Sequence, residues 1–272
     1  MIIGMRGHDF GRMEPEALAP AIRETGFACT QLALSKAFPQ KEDVYMAPER
    51  LLEIRHIFEK EGLALPVMGC YISASDPDPA VHEAAIQKYC RCLEASKLLG
   101  TGCVGTETTH FSGSDSERRA AFARLLTFAE RAAETAERCD AMAGIEPVAL
   151  HVLNTPELAR TLLDRIGSRH VGIILDLANL VTPDTLSESA QQDLLSRCLD
   201  AFGDRVLALH VKDGVFEDGS WQNRPLGEGV MHWQTLLPRM AEAFPTLCAM
   251  REGVWPGLAK EECRRMHAWA RS

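Results

Sequence analysis

Eight short apolar runs recur along the chain, and a longer stretch with helical periodicity follows each one. No other feature constrains the fold as much. The runs are Met1–Met5, Cys29–Leu32, Ala64–Gly69, Cys103–Thr106, Ala143–Glu146, Val171–Asp176, Val206–His210 and Thr246–Met250. The clearest helix is Ser116–Cys139. There Leu125, Leu126, Phe128, Ala129, Ala132, Ala133 and Ala136 make one apolar face and Glu and Arg fill the other. Thr155-Pro156-Glu157, Asp78-Pro79 and Ser187 read as helix starts, and Ala47-Pro48-Glu49 as a start without a good cap. Strict strand–helix alternation implies parallel strands. The 272 residues divide into eight units of about 34 each, the usual size of a β–α unit. The expected fold is therefore α/β, a (β/α)8 TIM barrel forming a single domain over residues 1–272. An open doubly wound sheet usually carries a glycine-rich phosphate loop after an early strand. Gly4-Met5-Arg6-Gly7 does not match that loop, and no GxxxxGK[ST] is present.

Charge and cysteine use narrow the function. Lys and Arg number 29 against 38 Asp and Glu, so the net charge is −9. This acidic balance argues against a nucleic-acid partner. No run approaches the roughly 20 apolar residues of a membrane span, and the start MIIGMRGHDF lacks a signal peptide's basic and apolar regions. Nine scattered cysteines without a CxxC fit reduced thiols, hence a cytoplasmic location.

In a barrel, chemistry belongs at the C-terminal strand ends. Four consecutive runs end there in Glu146, Asp176, His210 and, after Met250-Arg251, Glu252. One carboxylate after a strand is ordinarily a helix cap or a solvated loop residue. Four such ends converge on one rim, where three carboxylates would repel each other without a cation. Three oxygen donors and an imidazole suit one divalent ion: Mn²⁺, Mg²⁺, Co²⁺ or Zn²⁺.

The segments IEP at Glu146, LDLANL from Leu175, LHVKD from Leu209, PLGEGVMHW from Pro225 and REG at Glu252 resemble the xylose isomerase-like superfamily of barrels. That superfamily includes sugar-phosphate isomerases and epimerases, ketose 3-epimerases and apurinic endonucleases. The resemblance covers nearly the whole chain and fixes no substrate. It implies that Glu146, Asp176, His210 and Glu252 bind one catalytic metal, and that Glu146 and Glu252 also serve as an acid/base pair. The expected reaction is isomerisation or epimerisation of a sugar or sugar phosphate by proton transfer through a metal-stabilised cis-enediolate.

Several further residues are expected around the substrate. His151 lies five past Glu146, where the family often has a histidine near the substrate; a plain loop histidine is the alternative. Asn179, three past Asp176, replaces a histidine that many members carry. Lys212 shares the inward face of its strand with His210, and Asp213 or a metal-bound carboxylate would partner it. Glu107 and His110 follow the fourth run, and Arg6 and His8 follow the first, where they could bind an anion. Arg224 could clamp an anion from the loop after His210, and Trp255 could stack on a sugar ring. Substrate partners are small molecules, and a homo-oligomer is compatible with the sequence. Three other functions compete. A metal-dependent dehydratase or lyase would act on an inositol-like or keto-acid substrate. A repair endonuclease would need more histidines than Asn179, Gly229 and Gly69 leave in place. A non-catalytic sugar-binding barrel would not need both glutamates.

Overall fold

The computed structural model describes residues 1–272. The strands are β1 Ile2–Arg6, β2 Cys29–Leu32, β3 Ala64–Gly69, β4 Cys103–Glu107, β5 Ala143–Glu146, β6 Val171–Asp176, β7 Val206–Val211, β8 Asp213–Glu217, β9 Ser220–Arg224 and β10 Cys248–Arg251. Eight of them close a parallel barrel in the order β1-β10-β7-β6-β5-β4-β3-β2, and β8 and β9 form a separate hairpin. Seven helices of nine residues or more connect the barrel strands and an eighth follows the last one: α1 Pro15–Arg23, α2 Pro48–Lys60, α3 Pro79–Leu99, α4 Asp115–Cys139, α5 Pro156–Ile166, α6 Glu188–Phe202, α7 Trp233–Ala243 and α8 Ala259–Trp269. No helix is long and apolar enough to cross a membrane.

The expected helix starts carry the expected chemistry. The Asp78 side chain accepts from the backbone N–H groups of Ala80 and Val81, Thr155 from Leu158, and Ser187 from Ala190. Each such cap stabilises its helix by about 1 kcal/mol. Ala47 makes no side-chain cap.

Most of the core lies between barrel and helices, in one cluster of 67 buried residues. A smaller cluster fills the barrel itself: Cys29, Val67, Cys103, Ile174, Ala208 and Met250. Ile174 leans across the interior, where a Cβ on Gly144 would come within 3.0 Å of it and one on Gly105 closer still. Side chains alternate between the two faces of a strand. Two residues further along, the inward positions become Gln31, Gly69, Gly105, Glu146, Asp176, His210 and, just past β10, Glu252. The apolar plug is thus the floor of a polar layer.

Strand ends differ from expectation by one or two residues. The last strand begins at Cys248 and ends at Arg251, and β7 runs on to Val211. The β8–β9 hairpin is an addition to the plain alternation. Its strands are partly exposed and polar, so neither stands out as an apolar run. Its signal was the turn pair Asp218-Gly219, whose positive φ of 48° and 76° suits a two-residue hairpin loop.

Candidate metal centre

Register brings the donors level. Glu107 on β4 pairs with Glu146 on β5, and Asp176 on β6 with His210 on β7. Glu252 follows β10, and its backbone N–H donates to the Val211 carbonyl at 3.0 Å. Glu146, Asp176, His210 and Glu252 are all buried. Ligand atoms of Glu146, Asp176 and His210 lie within 4.8 Å of one another. Glu252 meets this set from the other side: its Oε1 lies 3.3 Å from His210 Nδ1, and Glu146 Oε2 lies 3.2 Å from the same nitrogen.

The group fits a divalent cation on its own chemistry. His210 Nδ1 and Asp176 Oδ2 are buried and make no hydrogen bond, although anionic or cationic groups surround both. Buried polar atoms are ordinarily hydrogen-bonded. Carboxylate oxygens gathered round one imidazole lone pair are the donor set of a hard-to-borderline ion.

Charges inside the site are arranged asymmetrically. Burial alone would lower the His210 pKa, but Glu252, Glu146 and Asp176 outweigh it and raise the imidazole to about 9. Burial raises the Glu146 pKa, with only partial relief from His210. Burial also opposes ionisation of Glu252, yet His210, Arg6 and Lys212 hold its pKa down near 2. The difference has a visible source: Arg6 Nη1 sits 3.2 Å from Glu252 Oε2.

Lys212, half-buried just past the end of β7, lies 3.2 Å from Asp176 Oδ2 and donates to Asn179 Oδ1. Asn179 in turn donates through Nδ2 to Glu146 Oε1. Of the two partners expected for Lys212, a carboxylate of the cluster is the one found. Asp213 turns away and accepts backbone N–H bonds from Gly214, Gly227, Gly229 and Met231. A Cβ on Gly229 would collide with this carboxylate, so that position has no room for a metal-binding side chain.

The other expected residues fall on the same rim. Glu107, His110 and His151 line a cleft of about 540 Å³ together with Tyr71, Ser73 and Thr109. Glu107 Oε2 lies 3.9 Å from His151 Nε2, and a backbone bridge joins His110 to His151. Burial, then the Glu146 charge, raises the Glu107 pKa to about 7. Burial, then His110, lowers that of His151 to about 4. The Arg6 guanidinium is already shared between Asp9 and Glu252. His8 packs edge-on to Tyr71, and burial followed by Arg6 lowers its pKa to about 3. Arg224 pairs with Glu217 within the hairpin, and Trp255 is half exposed.

Sequence reasoning missed four neighbours. Gln31 accepts at its Oε1 from His210 Nε2 at 2.7 Å. Tyr71 lies between His8 and Lys36, whose Nζ is 3.4 Å from the ring centre. Asp9 accepts from the N–H groups of Gly253 and Val254 and so holds the turn after Glu252. Gln31 alone had a sequence signal: it is a polar residue two past Cys29, on the inward face of its strand.

Residues 19–268 match the family model described as "Xylose isomerase-like TIM barrel". The chain belongs to this family. Within curated proteins, this xylose isomerase-like barrel is 26% identical over 204 residues to a D-psicose 3-epimerase of Enterocloster bolteae. The match takes in 70% of this chain and spans 62% of that relative's length. A 3-keto-D-glucoside 4-epimerase from E. coli superimposes with a TM-score of 0.79 at 16% identity, covering 98% of this chain and 99% of that one. The IOLI protein with a bound zinc atom superimposes with a TM-score of 0.76 at 13% identity, covering 99% and 96%. At such identities the two structures speak for the fold.

Proposed function

We propose that this barrel is a divalent-metal-dependent isomerase that epimerises or isomerises a small ketose or keto-sugar by proton transfer. The named activities of its relatives support an isomerase-type enzyme. One observation carries the finer reading: Glu146 and Glu252 approach the same His210 nitrogen from strands on different sides of the mouth, at 3.2 and 3.3 Å. Two carboxyl groups placed on opposite sides of one site can serve as an acid and a base on a substrate held between them.

Glu146, Asp176, His210 and Glu252 hold the metal in this reading, and the zinc-bound relative fits it. When bound, the ion stabilises negative charge developing on the substrate's carbonyl oxygen. The chain's own groups do the rest. One of Glu146 and Glu252 takes the proton from the carbon beside the carbonyl, the other returns one from the opposite face, and proton exchange with solvent restores the pair for the next turnover. Lys212 and Asn179 bind hydroxyl oxygens at the edge of the metal set. Glu107, His110 and His151 line the far end of the substrate cleft, and Arg6 pairs with Glu252 and orients it. Such acid/base groups contribute about 10²–10⁴-fold. With all nine cysteines free, we place the enzyme in a reducing cytoplasm.

The test is solvent exchange. The protein is incubated with Mn²⁺ and a panel of ketoses, keto-sugars, keto-acids and their phosphates in D₂O, and deuterium is followed by NMR. Deuterium beside the carbonyl, lost with EDTA and restored by Mn²⁺, supports the proposal. Turnover of a substrate with no solvent hydrogen at carbon would overturn it, and loss of water would establish a dehydratase instead.

A further inference from the structure

We propose that Gln31 is the positioning residue that decides which imidazole nitrogen of His210 faces the metal, an inference that rests on the metal reading above. The two side chains are 179 residues apart in sequence, yet Gln31 Oε1 and His210 Nε2 meet at 2.7 Å. Both are buried, at 3% and 1% exposure, so no solvent competes for the contact. An amide oxygen only accepts hydrogen bonds. Nε2 therefore carries a proton whether the ring holds one proton or two. A metal-binding imidazole must be neutral, so the proton displaced on binding is the one on Nδ1. That nitrogen is the one flanked by Glu146 at 3.2 Å and Glu252 at 3.3 Å.

The choice of an amide has its own logic. Partners of metal-binding histidines are often carboxylates. Here the mouth already holds the carboxyl groups of Glu107, Glu146, Asp176 and Glu252. A neutral amide acceptor orients the ring without adding a charge to this set. Gln31 Nε2 also reaches Tyr71 Oη at 3.5 Å. The same amide thus connects the metal ligand to the aromatic wall of the substrate cleft. Two turns of parity place it there: Cys29 lies in the apolar floor and Gln31 in the polar layer above it.

Three variants test the assignment: Gln31→Leu and Gln31→Met remove the acceptor at similar volume, and Gln31→Glu keeps it. Mn²⁺ affinity is measured by calorimetry on each folded protein, and ¹⁵N NMR of the Zn²⁺-loaded protein reports which ring nitrogen is protonated. Losing such a partner weakens metal binding by about 10–100-fold. The Leu and Met variants should show that loss, and the Glu variant should bind as tightly as the wild type or tighter. Zn²⁺-loaded wild type should show a protonated Nε2 and a metal-bound Nδ1. Metal bound through Nε2 in the wild type would overturn the proposal even if the apolar variants do not fold. So would Leu and Met variants that bind Mn²⁺ as tightly as the wild type does. A wild type that binds neither ion overturns the metal reading itself, a distinguishable result.

Discussion

Replacing Arg251 with Met should destabilise the barrel by about 3–5 kcal/mol, the cost of leaving one member of a buried ion pair alone. Arg251 is fully buried on β10, beside Glu252. Its Nε donates to Glu262 Oε2 at 3.0 Å, and its Nη2 donates to Glu262 Oε1 at 3.2 Å and to the Arg224 carbonyl at 3.1 Å. Glu262, 2% exposed on α8, also accepts from the Leu226 backbone N–H at 2.7 Å. The pair therefore ties the last strand, the last helix and the end of the hairpin together. Methionine fills much of the volume but leaves Glu262 with one neutral donor. At about 2–4 °C per kcal/mol for chains near this size, the melting temperature should fall by roughly 6–20 °C. Two controls separate burial from charge counting. Adding Glu262→Gln, whose carbonyl still accepts from Leu226, should recover part of the loss, because no unpaired charge remains. Arg197→Met breaks the bidentate pair with Glu157, but those side chains are 53% and 60% exposed, so the change should stay within about 1 kcal/mol. Urea and thermal melts of the four proteins decide the matter. An Arg251→Met loss no larger than the Arg197→Met loss, or a double variant weaker than Arg251→Met alone, would refute the reasoning.

Mn²⁺ at a hundredfold its dissociation constant should stabilise the fold by about 2.7 kcal/mol, a rise of roughly 5–10 °C in melting temperature that EDTA reverses. His210→Ala should abolish the rise, and a flat response to Mn²⁺, Co²⁺, Zn²⁺ and Mg²⁺ alike would count against the metal centre. Glu146→Gln and Glu252→Gln should each lower kcat by at least about 10²-fold, whereas Lys212→Ala should act mainly on KM; steady-state kinetics on the substrate found by deuterium exchange will separate them. Gly229→Ala places a methyl on Asp213 and the Gly214 backbone, so it should cost about 1–3 kcal/mol by overpacking. Limited proteolysis at the Asp218-Gly219 turn should quicken in step, and an unchanged melt would show that the loop yields easily.

The sequence by itself determined the architecture and brought the candidate donors into view. Apolar runs alternating with helical periods leave few options besides a closed parallel barrel, and Glu146, Asp176, His210 and Glu252 end successive strands in plain view. Those signals are local: period, cap chemistry and the residue at the end of a run. The tertiary structure decided everything that depends on contact across the mouth. Register set Asp176 level with His210 and Glu107 level with Glu146. Closure brought Gln31 to His210 and Arg6 to Glu252 from strands whose separation in sequence carries no pairing signal. Lys212, in the one-residue link between β7 and β8, could have turned to its neighbour Asp213, but the fold directs the two side chains apart. Lys212 therefore meets Asp176 inside the barrel, while Asp213 organises the backbone from Gly214 to Met231. A strand's chemistry can be read along the chain, but its partners are chosen by which residues closure places at the same height.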